Sequence, residues 1–221
     1  MATGSEQPMA SITVVRHAQA SFGSREYDAL SALGLRQAAA TGHYFAARGE
    51  RFDRVLAGPR ARHAQTAQAL LDRPARIEVE AALDECGAGH ALMRRVLASG
   101  ADGSRRELLE RYLDALDRWG LGEDGEPGCE TRAAFEQRVG GWFDRTCAAL
   151  ARGERVLVVT SAGVVAMLVS QALRGPPDAW GRMLRTMRNA SISELLVTGG
   201  RRSLASFNSV AHLPAGEVSG I

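Results

Sequence analysis

The sequence predicts an α/β protein: a three-layer α/β/α sandwich with a mostly parallel central sheet and a helical insertion. Three observations predict it. Short β-branched runs alternate with alanine- and leucine-rich helical stretches along most of the chain, the order that builds a parallel sheet with helices on both faces. Arg155-Val156-Leu157-Val158-Val159 is nearly continuous valine and leucine, as a strand buried on both faces requires. Ile12-Thr13-Val14-Val15 ends abruptly in Arg16-His17-Ala18-Gln19. That is the pattern of a buried strand delivering polar residues into the crevice where open α/β sheets hold their ligands.

The elements follow in order. Residues 11–15 read as the first strand and 21–28 as a polar loop. Ser31 is placed to cap a helix over 33–47, which Arg48-Gly49 ends. Residues 52–57 form a second strand, Gly58-Pro59 a turn, and Pro59 suits the first position of a helix running to about Leu71. Residues 77–79 alternate like a short strand, and 83–89 make an acidic, glycine-rich loop. Residues 93–98, 107–119 and 131–150 read as helices separated by glycine-rich breakers. We take about 86–150 as an insertion lying over one edge of the sheet, within one domain spanning 1–221. The strand at 155–159 leads into an apolar helix at 163–173. A hairpin pattern, 192–197 and 203–207, turns around Gly199-Gly200. The tail past Pro214 is expected to be loose.

Composition excludes several classes. At 221 residues, 45% hydrophobic and 24% charged, the chain is ordinary for a folded protein able to bury a large core. The net charge of +2, with basic residues dispersed rather than striped, gives no sign of a nucleic-acid partner. All 27 basic residues are arginine, so a single arginine says little about function, although its planar fork grips phosphate at two points. Cys86, Cys129 and Cys147 are odd in number and lack CxxC spacing, which points to a reduced, cytoplasmic setting. No apolar run approaches the ~20 residues of a membrane span, so no membrane partner is expected. Neither G-x-G-x-x-G nor G-x-x-x-x-G-K-[ST] occurs, and Cys86 and His90 are not expected to form a metal site because Gly87 and Gly89 argue against a helix there. No cofactor is expected.

Three stretches follow strand-like segments and can meet His17 at one end of the sheet: 57–67, 83–85 and 158–164. Together they resemble the histidine phosphatase superfamily, which includes the cofactor-dependent phosphoglycerate mutases. The resemblance lies in Arg16-His17 after an apolar strand, Arg62 four residues before Thr66-Ala67, and Leu83-Asp84-Glu85. It extends through Tyr27 to Ala38, a stretch typical of the bacterial branch, and through Asn189-Ala190-Ser191-Ile192 and 207–213. The resemblance implies that His17 attacks a phosphoryl group and becomes phosphohistidine. Arg16 and Arg62 would clamp phosphate oxygens, and Glu85 would protonate the leaving oxygen. In-line phosphoryl transfer is mainly positioning and electrostatic clamping, which suits those residue types. The implied partner is a small phosphorylated molecule or phosphate itself. His63, in the Arg62 helix, is expected to face solvent or to pack, and His212 matches a structural position.

Two departures stand out. Ala18 follows the nucleophile where glycine is usual. Ser161 stands where the second active-site histidine belongs, with Ala162 in place of a glycine. Losing one preorganised donor costs ~10²–10³ in rate, so an impaired phosphomonoester hydrolase is the first reading. The alternative is a pseudoenzyme that binds a phosphorylated ligand or anion through Arg16, Arg62 and Ser161 without turnover. A third reading is an interaction protein using the helical middle. Mutase activity is not expected, since it needs further residues to hold a bisphosphate. Thr160-Ser161-Ala162-Gly163 lacks the first glycine of G-x-S-x-G, which argues against a serine hydrolase. His90 is a candidate to replace the lost imidazole.

Overall fold

The computed structural model describes residues 9–21, 28–72, 75–98, 105–123, 125 and 127–220. A six-stranded sheet runs in the order β3-β2-β4-β1-β5-β6. Its strands are β1 (Ala10–Arg16), β2 (Arg54–Ala57), β3 (Ile77–Val79), β4 (Arg155–Thr160), β5 (Ile192–Thr198) and β6 (Arg201–Ser209). The first four are mutually parallel; β5 pairs antiparallel with β1, and β6 antiparallel with β5. All seven residues of β1 are buried, as are the last five of β4. Each fully buried valine, leucine or isoleucine there contributes about 1.5–3 kcal/mol. That is why these two runs sit at the centre. Gly199 and Gly200, at φ +54° and +79°, supply the positive dihedrals of the β5–β6 turn.

Helices cover both faces. On one side α1 (Ala32–Ala47) and α2 (Ala61–Ala69) pack Ala38, Phe45, Ala67 and Leu70 against Val15, Val55, Leu157 and Val159. The expected cap is present: Ser31 Oγ accepts from the Gly34 N–H at 3.0 Å. Alternate residues of the same strands, among them Ile12, Val14, Val156 and Val158, face the other side. There α6 (Ala162–Leu173) joins α3 (Ala88–Ala98), α4 (Arg105–Gly120), α5 (Arg132–Ala149) and α7 (Ala179–Leu184) in one cluster with Trp119, Phe135 and Trp180. Among the described residues, no helix is long and apolar enough to cross a membrane.

Several expectations are corrected. Of the helices between β3 and β4, α5 packs against α6, α4 against α7 and α3 on α4, in the cluster that covers one face of the sheet rather than its edge. Helix α3 begins at Ala88 and contains Gly89, because burial of Ala88, Ala91 and Leu92 outweighs one glycine's ~1 kcal/mol penalty. Helix α2 starts after Arg60, so Pro59 lies just outside it. A further helix, α7, follows Pro176-Pro177; Trp180 anchors it, with its indole N–H donating to the Gly163 carbonyl at 2.9 Å. The tail is fixed rather than loose. Gln37 donates to the Glu217 carbonyl and Ser219 hydroxyl, and the Asn189 N–H donates to the Ser219 carbonyl.

Candidate active site

The parallel strands put their carboxyl ends side by side. Register pairs Arg16 with Thr160 and Ala57 with both Val159 and Val79. The segments after β1, β2 and β4 therefore converge, and the 3₁₀ turn Ala81–Leu83 after β3 carries residues 84 and 85 to the same end. Backbone bonds fasten them: the His17 N–H donates to the Thr160 carbonyl at 2.8 Å and the Gly58 N–H to the Val159 carbonyl at 3.0 Å. Thr160 Oγ1 donates to the Leu83 carbonyl at 2.6 Å.

His17 is buried, and its hydrogen bonds fix the tautomer. Nδ1 lies 2.8 Å from the Ala18 carbonyl, which can only accept, so Nδ1 carries the proton. Nε2 then bears the lone pair, and the Arg62 Nε–H donates to it at 3.2 Å. Burial, followed by the positive charges of Arg62 and Arg16, holds the His17 pKa well below the usual histidine value. A neutral imidazole with its Nε2 lone pair facing Arg62, and the charge of Arg16 nearby, is suited to attack an anionic centre. Asn189 and Ala190 hold the His17 carbonyl from the β5 side.

Arg16 and Arg62 are both brought to His17. Arg16 is buried and donates to the Met187 carbonyl at 2.8 Å. The four-residue spacing from Arg62 to Thr66 is one helical turn: Thr66 Oγ1 donates to the Arg62 carbonyl at 2.7 Å and accepts from the Ala18 N–H at 3.1 Å. One threonine thus ties α2 to the loop beside His17. Arg60 goes elsewhere, donating twice to the Asp84 carboxylate at 2.6 and 3.1 Å. The Ala18 side chain packs in the cluster with Val15, Leu30 and Ala38.

Ser161 is buried at the head of α6. Glu85 is half-buried, and its Oε1 accepts from the Cys86 N–H at 2.9 Å. A Cβ on Gly163 would lie 2.5 Å from that oxygen, so the carboxylate rests against the first turn of α6, near Ser161.

Two further residues join the site: Asp28, which the sequence does not single out, and His63, which packs as one of its two expected placements allows. Asp28 accepts from Arg62 at 2.6 Å and from the Ala61 N–H at the start of α2 at 2.7 Å, so a carboxylate already sits on the guanidinium. His63 packs at the site, its ring 5.5 Å from that of His17 and its Nε2 2.7 Å from Ser161 Oγ. Neither carries a distinctive motif; only the helical offset of one residue from Arg62 pointed to His63. The side chain of His90 and the loop residues 22–27 lie outside the described residues. Among the described residues, no group of three or more His, Cys, Asp or Glu is placed to hold a metal.

The sequence profile of the histidine phosphatase superfamily (branch 1) matches residues 12–210. Solved structures of similar fold include the phosphoserine phosphatase of Entamoeba histolytica in complex with phosphoserine: 18% identity, TM-score 0.68, covering 93% of this chain and 100% of that one. The alpha-ribazole phosphatase of Shigella flexneri is 20% identical with a TM-score of 0.65, over 90% of this chain and 96% of the other. A mycobacterial glucosyl-3-phosphoglycerate phosphatase is 24% identical with a TM-score of 0.64, over 90% and 98%. At these identities the likeness establishes the fold. No curated protein matches the sequence.

Proposed function

The chain belongs to the histidine phosphatase superfamily, and we propose that it is a phosphomonoester hydrolase acting through a phosphohistidine on His17. The observation that carries this reading is the tautomer of His17, with its proton spent on the Ala18 carbonyl and its Nε2 lone pair beside Arg62. The matched stretch Tyr27 to Ala38 favours the bacterial branch. Its partner is a small phosphorylated molecule, as the substrates named for the neighbouring structures are. The free thiols of Cys86, Cys129 and Cys147 suit a cytoplasmic setting.

In this mechanism the phosphoryl group displaces both Asp28 and the His17 Nε2 lone pair from Arg62, taking the Arg62 N–H donors for its own oxygens and freeing Nε2 to attack. Arg62 and Arg16 bind its oxygens and balance the charge that spreads over them in the in-line transition state. His17 Nε2 forms the N–P bond as the P–O bond to the leaving group breaks. Glu85 gives its proton to the departing oxygen and then takes one from the water that attacks phosphohistidine, releasing phosphate and restoring His17. The Ser161 hydroxyl adds one neutral hydrogen bond. With serine there, the β4–α6 turn supplies no imidazole, and a loss of ~10²–10³ in rate is expected unless another group compensates.

Hydrolysis of p-nitrophenyl phosphate by the native protein and by His17→Ala tests this reading. Turnover that vanishes in the variant supports it. Equal inertness of both contradicts it and favours the anion-binding pseudoenzyme, for which the Asp28 carboxylate on Arg62 would be a permanent plug.

A further inference from the structure

A second imidazole is buried beside the first, on the short helix α2. His63 has no exposed surface, and it lies in α2 among alanines, glutamines and a threonine. Nδ1 faces the Gly58 backbone, which favours a proton on the ring without making a well-aligned hydrogen bond. Burying a polar atom so weakly satisfied costs up to about 1–3 kcal/mol, a cost an alanine at 63 would not carry. The fold also makes room for it: a Cβ on Gly58 would lie 2.3 Å from His63 Nδ1. Packing alone does not call for an imidazole at this position.

Its placement does. Ser161 follows Thr160, whose carbonyl receives the His17 N–H, so the serine stands next to the nucleophile across the β1–β4 pair. His63 approaches the same point from α2, its Nε2 2.7 Å from Ser161 Oγ and its ring 5.5 Å from the His17 ring at a tilt of 43°. A serine and an imidazole meeting head to head fill the space that one histidine at 161 would reach into.

Resting on the phosphatase reading above, we infer that His63 is a positioning residue for phosphoryl transfer: it holds the Ser161 hydroxyl so that its hydrogen faces the phosphoryl group, and the pair supplies jointly what a single imidazole would. The role requires the ring proton on Nε2, donating to Ser161 Oγ across the 2.7 Å contact. The hydroxyl's own hydrogen is then left for a phosphoryl oxygen. Burial, then the charge of Arg62, keeps this ring neutral, against the opposing pull of Asp84 and Asp28. His17 and Arg16 on the neighbouring strand end add no negative charge. No bond is made or broken at His63; it directs a hydrogen bond.

Returning the imidazole to residue 161 is the test. Steady-state hydrolysis of p-nitrophenyl phosphate is measured for the native protein, His17→Ala, His63→Ala, and His63→Ala combined with Ser161→His. His63→Leu, which fills the space without a donor, is read by the same criteria where His63→Ala does not fold. The expected result is a ~10²-fold fall in kcat for His63→Ala, a smaller change in KM, and recovery of at least about tenfold in the double variant. A merely structural role for His63 gives no recovery, because the cavity at 63 persists. Native kcat in His63→Ala, or a double variant no faster than His63→Ala, overturns the inference while native turnover lost in His17→Ala leaves the phosphatase reading intact. An inert native protein overturns both.

Discussion

Acid should unfold this protein through its site. His17 and His63 are both buried and both held neutral, His63 down to about 3 and His17 well below its ordinary value. In the unfolded chain each returns to about 6.5. The unfolded state therefore binds more protons in the window between, and stability rises with pH there. Their contribution is complete above about pH 6.5 and is lost as pH falls toward 3. Each neutral histidine removes up to ~1.4 kcal/mol per pH unit, so the pair removes about 3 kcal/mol between pH 6.5 and 5. That is a large part of the 5–15 kcal/mol typical of a folded domain. Urea denaturation at pH 7.5, 6.5, 5.5 and 5 measures it. His63→Leu should keep only about half of the slope. Stability that is flat from pH 6.5 to 5, or a slope unchanged in His63→Leu, would refute the reasoning.

Three further outcomes follow from the geometry. Asp28→Asn weakens only a half-exposed ion pair, worth ~0–1 kcal/mol to stability, but frees Arg62; inorganic phosphate should inhibit the variant several-fold more strongly, and weaker inhibition would contradict the plug. Glu85→Gln should slow alkyl phosphates, whose leaving oxygen needs a proton, far more than p-nitrophenyl phosphate; equal losses would remove Glu85 from the protonation step. Ser161→His alone should lower kcat, since His63 already stands 2.7 Å from the serine oxygen; a gain would show that the two rings fit together.

The parts of the fold legible in the sequence were those written by local pattern. The valine runs of β1 and β4, the Ser31 cap and the glycine pair of the hairpin each declare themselves within a few residues. So did Arg16, His17 and Arg62, because a strand end and one helical turn fix their positions. What stayed hidden depends on distant partners. His63 gains its meaning from Ser161 and from Gly58, and Asp28 from Arg62 on another element. The order of the tail is not legible locally because its anchors, Gln37 and Asn189, lie far away in sequence. Helix α3 overrode its glycine because tertiary burial outweighs local propensity.

The central claim is a covalent one, and trapping the intermediate tests it most directly. The protein is mixed with a ³²P-labelled phosphomonoester, quenched in alkali within milliseconds, digested and mapped. The account predicts an acid-labile, alkali-stable label on the peptide carrying His17, and none in His17→Ala. A label on Ser161, or turnover with no label on His17, would contradict it.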